Sequence, residues 1–477
     1  MAHPLKSALS GIAGEKYIAD SDFAVWTYAK DSSGFPATVP GIIVKPGTTD
    51  EVSQIVKLAN REKVPIVPRG GGTAYGGTAY SRSPDESSST ICMDLTRMRK
   101  ILDINEINRT VTVEAGITCS ELETRLRRRG LYVHTVYGPA DSVTVGGVIS
   151  GVCGGGGGQM FSSAGNNGPY FLGVKAVLPN GDVIETGTRT NTQASMFGRV
   201  CHGPDMTGLF IGHMGIFGVT TEVTLQVFDW PPFEDVGGVA YDYENLDDAH
   251  RAFTALAAHP TRPFSLLGLI GPGPESIMRR IDWAVFYKIR GYSQDEVDSK
   301  SKIASEIIAI TAKPKEWKSD FVRILQKRSL LHPHDVSPRK MGMWSYPEPC
   351  CPRDGTLGIV KATLKMMNRE LEGWGGRIKS AGSAVWMHGD QDYVSFPLHH
   401  KESDPEARDK SLDVWMKIID LALDKGANFL ILDKHIGDMC ASRFTPEYHD
   451  FLRTIKRSLD PNNIMNPYIL SLSKDSL

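Results

Sequence analysis

The sequence predicts an α+β protein in which a two-lobed mixed region, residues 1–230, is followed by an α+β domain over residues 231–450. Three observations predict this architecture. The chain has 477 residues, more than one ordinary domain holds. Strand and helix patterns alternate through the first half. Glycine is abundant, with 48 residues, and it clusters in residues 70–77, 146–158 and 203–218, with no such cluster in the second half.

The first lobe, about residues 35–105, opens as a strand–helix–strand unit. Residues 41–45 (GIIVK) have the composition of a buried strand. Thr48-x-x-Glu51 has the spacing of a capping box, and apolar residues at helical spacing predict a helix over residues 49–62. Residues 64–67 predict a second short strand.

The second lobe, about residues 106–230, is richer in strands. Thr118-x-x-Glu121 predicts a capped helix that ends at Gly130. Asn180-Gly181 predicts a tight hairpin turn between two strands. The strand-like segments from the end of the first lobe to the end of the second are residues 90–94, 109–115, 171–178, 182–186 and 217–228.

The domain over residues 231–450 combines long helical patterns with a few strands. The predicted helices are residues 246–258, 296–311, 360–373 and 408–425, and the predicted strands are residues 282–290 and 393–399. The last segment, residues 451–477, contains SLDPNNIMNPYIL. Such a tail is ordered only where another part of the protein packs against it.

Composition excludes several classes of function. The net charge is −2 and the charges are interspersed, which argues against nucleic acid or an acidic membrane surface as a partner. Seven cysteines, an odd number without a CxxC pair, disfavour a disulfide framework, a zinc site and an iron–sulfur cluster. We find no signal-peptide pattern and no apolar run of membrane-spanning length. The expectation is a cytoplasmic protein.

The glycine clusters have the composition of loops that hold an anionic ligand. PRGGGTAYGG, residues 68–77, follows a predicted strand, and consecutive glycines allow backbone N–H groups to converge on a diphosphate. Arg69 would add positive charge. The cluster TVGGVISGVCGGGGG (residues 144–158) fits the same role. The third cluster, TGLFIGHMGIFGVTTEVTL (residues 207–225), by itself predicts only a kinked or bulged strand. No GxGxxG motif opens a helix after the first strand, which disfavours a Rossmann site.

These segments together resemble the FAD-linked oxidases of the vanillyl-alcohol oxidase type, which include glycolate and D-lactate dehydrogenases. The resemblance is carried in family order by PRGGGTAYGG, YGPADSVTVGGVISGVCGGG, LGVKAVLPNGDVIETG, DMTGLFIGHMGIFGVTTEVTL and LDPNNIMNP. It covers about residues 35–230 and the last 30 residues. The resemblance implies a two-lobed PCMH-type FAD-binding domain and a ferredoxin-like α+β cap domain over the substrate. The C-terminal segment would return to the FAD domain.

The resemblance also assigns residues to the cofactor. These are Pro68, Arg69, Gly70, Gly71, Gly72, Thr73, Gly76, Gly77, Pro139, Asp141, Ser142, Thr144, Gly146, Gly147, Gly151, Gly154, Gly155, Gly215, Gly218, Val219 and Asn466. Some relatives attach the flavin through a His in the first loop, and others through a Cys before the TVGG segment. This chain has no His in GGGTAYGG and has Ser142 at the second place. The prediction is FAD held non-covalently.

The catalytic prediction also comes from the resemblance. LDKHIGD is similar to the GEHGIG motif of the 2-hydroxyacid dehydrogenases, which puts His435 at the flavin as the base that accepts the hydroxyl proton. His388 falls on the first metal ligand of these relatives. Ser395 and Lys434 replace the other ligands, and an ammonium group cannot bind a dication, so no metal is predicted. Lys434 and Arg443 become candidate anion anchors, and Tyr393 a candidate aromatic wall.

The leading hypothesis is an FAD-dependent oxidoreductase that oxidises the CH–OH group of a hydroxy acid or an aryl or alkyl alcohol. The alternatives are a 4-alkylphenol or 4-hydroxybenzyl alcohol oxidase, a redox-neutral transferase similar to ether-lipid synthases, and a non-catalytic FAD-binding subunit. Oxygen, a quinone, a cytochrome and an iron–sulfur protein are all possible electron acceptors. A homodimer is the base expectation for the assembly.

Overall fold

The computed structural model describes residues 3–74, 89–134, 141–151, 170–200, 203–272, 282–311, 314–316, 343–345, 347–380, 382–429, 432 and 434–472. Gly76, Gly77, Pro139, Gly154 and Gly155, which the sequence assigns to the cofactor, lie outside the described residues. Among the described residues, no helix combines the length and the apolar character needed to cross a membrane.

The first lobe is a four-stranded sheet of order β1–β2–β4–β3, in which β2, β4 and β3 run parallel. Its elements are α1 (Lys6–Ala13), β1 (Ile18–Ala19), α2 (Asp22–Trp26), β2 (Ile42–Val44), α3 (Thr49–Glu62), β3 (Ile66–Arg69) and β4 (Ile91–Asp94). The predicted cap of α3 is confirmed, because Thr48 Oγ1 accepts a hydrogen bond from the backbone N–H of Glu51. The strand predicted at residue 64 begins two residues later. Lys63 ends α3 in a left-handed conformation, and Val64 still donates to Ala59.

The second lobe is a five-stranded antiparallel sheet of order β5–β6–β10–β8–β9. Its elements are β5 (Ile101–Asn105), β6 (Thr110–Glu114), α4 (Cys119–Arg127), β7 (Leu131–Tyr132), α5 (Val145–Gly151), β8 (Phe171–Val177), β9 (Val183–Glu185), β10 (Val219–Gln226) and β11 (Phe228–Asp229). The predicted turn between β8 and β9 is confirmed. Gly181 has φ 86°, and Asn180 Oδ1 accepts from the backbone N–H of Asp182.

The second half of the chain is built on an eight-stranded sheet of order β15–β12–β14–β13–β19–β20–β17–β22, beside a small sheet of order β16–β21–β18. The strands are β12 (Phe233–Tyr241), β13 (Phe264–Gly271), β14 (Trp283–Gly291), β15 (Lys315–Glu316), β16 (Met343–Ser345), β17 (Pro349–Pro352), β18 (Ile378–Ser380), β19 (Ser383–His388), β20 (Gln391–Ser395), β21 (Leu398–His400) and β22 (Asn428–Phe429). The helices are α6 (Leu246–Ala258), α7 (Gln294–Thr311), α8 (Thr356–Glu370), α9 (Pro405–Asp424), α10 (Lys434–Ala441) and α11 (Pro446–Leu459).

The large sheet separates two apolar layers, because strand residues alternate between its faces. On β14, Val285 and Tyr287 pack with the helices α6 to α9. Ala284 and Phe286 pack on the opposite face with the core of the second lobe. One face of the large sheet therefore lies against the second lobe.

Two predicted elements of the second half are corrected. The strand predicted over residues 393–399 is two strands in different sheets. β20 ends at Ser395 and β21 begins at Leu398, because Pro397 between them has no N–H for a ladder. The helix predicted over residues 360–373 begins at Thr356 and ends at Glu370. Its first turn contains Thr356 and Gly358, two residues of low helix propensity, so the composition of that turn does not indicate a helix.

The C-terminal tail after α11 packs beside β3. Ile66 donates its backbone N–H to Ile464 O at 2.7 Å, and Asn466 donates to Ile66 O at 2.8 Å. The fully buried Lys456 Nζ lies 2.6 Å from Asp460 Oδ2, 2.8 Å from Met465 O and 2.9 Å from Ile216 O. We call this group the lysine latch. It joins α11, the tail and the third glycine segment.

Three buried histidines make the stability dependent on pH. Burial lowers the pKa of His213 to about 3 and the pKa values of His250 and His399 to about 4. An unfolded histidine is protonated below about pH 6.5, whereas these three stay neutral in the folded protein. Their stabilising effect is complete above pH 6.5 and is lost as the pH falls towards 4.

We expect each of these histidines to cost about 1.4 kcal/mol of unfolding free energy per pH unit within that window. Urea unfolding between pH 7 and pH 4.5 measures the slope. The three histidines together cause part of this dependence of unfolding free energy on pH. His250→Gln, on the outer layer at α6, should remove about one third of that part. An identical slope in the variant would contradict this origin.

Candidate cofactor site

A cleft lies between the two lobes, and its walls come from all three glycine-rich segments. The lining residues are Pro68, Arg69, Gly70, Gly71, Gly72, Thr73, Ala74, Leu95, Ala115, Val143, Thr144, Gly146, Gly147, Val148, Ser150, Gly151, Met214, Gly215, Gly218 and Thr220. The segments are far apart in the chain. The carboxyl end of β3, the helix α5 and the start of β10 bring them together at one place.

Glycine is required in this cleft partly because the segments pack against each other. A Cβ atom built on Gly70 would lie 2.1 Å from Thr144 Oγ1, and one on Gly71 would lie 1.7 Å from Ser142 O. A Cβ on Gly146 would lie 2.6 Å from the Cβ of Ala115. The first and second segments therefore approach to main-chain distance, and only glycine permits the contact.

The part of the cleft formed by the first glycine segment favours an anion. Outside the ladder of β3, the backbone N–H groups of Gly70, Gly71 and Gly72 donate no hydrogen bond to another described residue. Arg69 is the one charged residue among the lining residues that the structure describes. Its guanidinium donates to Lys30 O at 3.1 Å. Free N–H groups next to a fixed cation form a site for phosphate oxygens.

The third segment needs glycine for its backbone conformation. Gly215 has φ 78° and Gly218 has φ 146°, both in the region that L side chains rarely adopt. A Cβ on Gly218 would also lie 2.4 Å from Val177 O. Gly218 and Thr220 line the cleft, whereas Val219 between them points into the core of the first lobe. Alternation along β10 explains this placement.

Asn466 of the C-terminal tail lies next to the third segment. Its side-chain N–H group donates to Met214 O at 2.6 Å, and its Cβ lies 3.7 Å from a Cβ built on Gly215. Its Oδ1 is buried and accepts no hydrogen bond from any described residue. A buried acceptor without a donor is costly, so its presence next to the cleft suits a ligand that donates.

Comparison with known proteins identifies the ligand. Residues 40–187 match the family model of an FAD binding domain, and this range contains the first two glycine segments. This range of the chain is therefore an FAD binding domain. The described cleft has the donors, the positive charge and the close main-chain approach that the diphosphate of FAD needs.

The individual relatives of this chain are of two kinds. It is 30% identical over 263 residues to glycolate oxidase subunit GlcD of Bacillus subtilis, covering 55% of this chain and about half (52%) of that protein. It is 27% identical over 440 residues to a D-lactate dehydrogenase of Archaeoglobus fulgidus, covering 89% and 90%. Its fold is similar to that of the 4-ethylphenol oxidase from Gulosibacter chungangensis in complex with isoeugenol. The TM-score is 0.80 at 18% identity, and the match covers 99% and 97% of the two chains.

Some residues that the sequence assigns to the cofactor lie away from the cleft wall. Asp141 lines a separate surface depression with Thr118 and Arg128. Ser142 reaches the first segment only through its carbonyl oxygen. Conversely, Ser150 and Thr220 line the cleft but were not predicted. Neither stands out in the sequence, since Ser150 is one hydroxyl in an apolar stretch and Thr220 is one of several threonines in a strand.

His435 lies where the cap meets the first lobe. Its ring stacks on Phe35 with centroids 3.6 Å apart and an interplanar angle of 16°. Phe35 in turn contacts the edge of Trp415. Three residues before Phe35, the backbone N–H of Ser32 donates to Ala74 O, at the end of the first glycine segment, at 2.7 Å. Only a short stretch of chain therefore separates the His435 contact from the cleft. Lys434 next to it is 1% exposed.

The remaining predicted substrate residues separate into two groups. His388 and Tyr393 are buried on neighbouring strands with ring centroids 6.4 Å apart, and Trp386 pairs directly with Tyr393. Trp386 and Tyr393 belong to the core that the cap sheet shares with the second lobe. Arg443, in contrast, forms ion pairs at 2.8 Å with Asp420 and Asp424 among exposed side chains.

The described residues contain no group of three or more His, Cys, Asp or Glu side chains placed to hold a metal ion. His388 lies on β19 and Lys434 begins α10. The lysine replacement thus stands in a buried position, where a second positive charge would oppose a bound dication. Catalysis without a metal stays a prediction.

The closest main-chain contact in the cleft gives a direct test of its geometry. We expect Gly71→Ala to weaken FAD binding by about 1–3 kcal/mol, or about 5- to 150-fold, because its new Cβ would overlap Ser142 O and separate two walls. Equilibrium titration of apoprotein with FAD measures the dissociation constant. The control is Gly358→Ala in α8, where a Cβ meets nothing within 4 Å. Equal affinities in the two variants would exclude the predicted contact.

Proposed function

We propose that this protein is an FAD-dependent oxidoreductase that oxidises a CH–OH group of a small hydroxylated substrate by hydride transfer to flavin N5. The observation that carries the proposal is the convergence of the three glycine-rich segments on one cleft, next to a cap that carries His435. Bound FAD supplies the acceptor for two electrons. The protein binds the substrate, excludes water and removes the hydroxyl proton.

We propose that the cleft holds FAD without a covalent bond. The N–H groups of Gly70, Gly71 and Gly72 and the guanidinium of Arg69 would bind the diphosphate. Gly215 and Gly218 would allow close approach of the cofactor, with Asn466 Oδ1 as an acceptor. The hydroxyl of Ser142 cannot replace the cysteine thiol that some relatives use for attachment. Residues 1–230 would form the FAD domain, residues 231–450 the cap, and residues 451–477 the returning segment.

We propose that the His435 imidazole accepts the substrate hydroxyl proton. Its stack on Phe35 fixes the plane of the ring, which a base needs for a defined hydrogen bond to the hydroxyl. The Lys434 ammonium, buried at the start of α10, would favour an anionic group on the substrate. His388 and Tyr393 would complete the wall on the cap sheet.

The preferred substrate class is a 2-hydroxy acid. Two relatives are named for glycolate and D-lactate, and a buried lysine next to the proposed base suits a carboxylate. A 4-alkylphenol oxidase is the second candidate. It is favoured by the fold similarity to 4-ethylphenol oxidase over 99% of the chain and by Trp386 next to Tyr393 on the inner face of the cap.

The test is anaerobic mixing of the FAD-loaded protein with 2-hydroxy acids, benzylic alcohols and 4-alkylphenols while flavin absorbance is recorded. We expect 2-hydroxy acids to bleach the flavin. Bleaching by 4-alkylphenols alone would select the second candidate. If no donor of these three classes bleaches the flavin, a redox-neutral transferase or a non-catalytic subunit would replace the proposal. Protein that takes up no FAD would overturn it entirely.

A further inference from the structure

A buried histidine lies behind the wall of the cleft, on the side away from the proposed cofactor. His213 is 3% exposed, and its Nε2 lies 3.0 Å from Ser150 Oγ and 3.4 Å from Thr220 Oγ1. Both Ser150 and Thr220 line the cleft. The ring contacts Phe210 on its other side. Nε2 of His213 therefore faces the hydroxyls of both Ser150 and Thr220. Among the described lining residues of the cleft, these two carry the only hydroxyls that lie in α5 and β10.

The main chain fixes this geometry independently of the side chains. The backbone N–H of Gly212 donates to Ile149 O at 2.8 Å, and that of Met214 donates to Ser150 O at 2.6 Å. These bonds join the third glycine segment to the end of α5 on both sides of His213. The main-chain bonds alone therefore place His213 next to Ser150, independently of the side-chain hydrogen bond.

The hydrogen bonds available to the ring decide its tautomer. Nδ1 of His213 is buried and has no hydrogen-bond partner among the described residues. Burial and the nearby Lys456 ammonium keep the pKa low and the ring neutral, so it carries one N–H. A proton on Nδ1 would leave a buried donor without an acceptor, which is costly. The proton therefore belongs on Nε2, where Ser150 Oγ accepts it.

We propose that His213 is a positioning residue that makes Ser150 a hydrogen-bond donor to an oxygen of FAD. Because Nε2–H occupies a lone pair of Ser150 Oγ, the hydroxyl hydrogen cannot point back at the ring. It is directed towards the cleft, where the oxygens of FAD are the acceptors. The inference rests on the proposed position of FAD in this cleft, and it adds a side-chain hydrogen bond to the backbone N–H groups and the Arg69 guanidinium proposed above.

The test compares the FAD dissociation constants of four variant apoproteins with that of wild type: Ser150→Ala, His213→Met, their double variant and His213→Gln. Ser150→Ala removes the donor, and His213→Met removes the N–H while filling a similar volume. His213→Gln keeps an N–H that can reach Ser150. We expect Ser150→Ala and His213→Met each to weaken FAD binding by about 5- to 10-fold, as for one hydrogen bond. The double variant should be no weaker than either, and His213→Gln should bind within about 2-fold of wild type.

Additive losses in the double variant would overturn the inference, as would wild-type affinity in Ser150→Ala. Loss of affinity in His213→Gln equal to that in His213→Met would also overturn it, since a packing role alone gives that result. Urea unfolding of each apoprotein separates misfolding from weak binding, and Ser150→Ala tests the donor even if a His213 variant does not fold. Failure of the cleft itself is distinguishable, because Gly71→Ala would then leave FAD affinity unchanged.

Discussion

Replacing His435 with alanine should lower the rate of flavin reduction by substrate about 100- to 10,000-fold, the usual contribution of a positioned base. The variant loses the proton acceptor but keeps the cap helix α10. Gly437 and Asp438 in that helix still contact the C-terminal tail, where Asp438 Oδ1 accepts from the backbone N–H of Ser471 at 2.9 Å. FAD content should therefore stay unchanged. Anaerobic stopped-flow absorbance measures the rate.

His259→Ala is the matched control for this experiment. His259 follows α6 in the same domain, and its Nδ1 contacts only the neighbouring Thr261 at the exposed end of the helix. We expect a wild-type rate in this variant. Substrate dissociation constants, taken from the saturation of the rate, separate loss of chemistry from loss of binding. A His435→Ala protein that reduces its flavin at the control rate would remove His435 from the mechanism.

Replacing Lys456 with methionine should lower the free energy of unfolding by about 3–5 kcal/mol, as for removal of one partner of a buried ion pair. The lysine latch joins three parts of the molecule through one ammonium group. Without it, the Asp460 carboxylate and the carbonyl oxygens of Ile216 and Met465 lose their shared donor. Urea unfolding of the apoprotein measures the effect.

The latch also holds two walls of the cleft, so Lys456→Met should weaken FAD binding. Ile216 follows Gly215 in the third segment, and Met465 forms a bridge with Ile66 of β3 just before the first segment. Lys361→Met is the control, because Lys361 pairs with Asp247 between exposed side chains at 2.7 Å. Such surface pairs contribute about 0–1 kcal/mol. Equal stability of the two variants would contradict the role of the latch.

Local elements of the fold could be predicted from the sequence because their causes lie within a few residues. Thr48 caps α3 through Glu51 N, and Thr118 caps α4 through Glu121 N, each at the predicted spacing. The helix over residues 246–258 has the predicted bounds. Where the predictions were wrong, as at Pro397 in the strand over residues 393–399, a single residue without an N–H divided a continuous apolar pattern.

The cofactor was predictable for a different reason. Three glycine-rich stretches in family order indicated FAD. Close approach of the main chain to a dinucleotide requires glycine, and clusters of glycine are visible in the sequence. Most of the described glycines of the first two segments do line one cleft. The polar groups around them were not predictable. Ser150 and Thr220 look like ordinary residues of apolar segments, and Asp141 lies in a different depression.

The sequence by itself determined the helices, the turns and the flavin, because capping, periodicity and glycine composition act over short distances. Only the tertiary structure decided which groups meet. Gly71 touches Ser142, His213 orients Ser150, and Lys456 holds Ile216 across 240 residues of chain. The physical reason is that hydrogen bonds and burial depend on distances in space. The spacing of residues along the chain does not specify a contact between segments that are far apart in sequence.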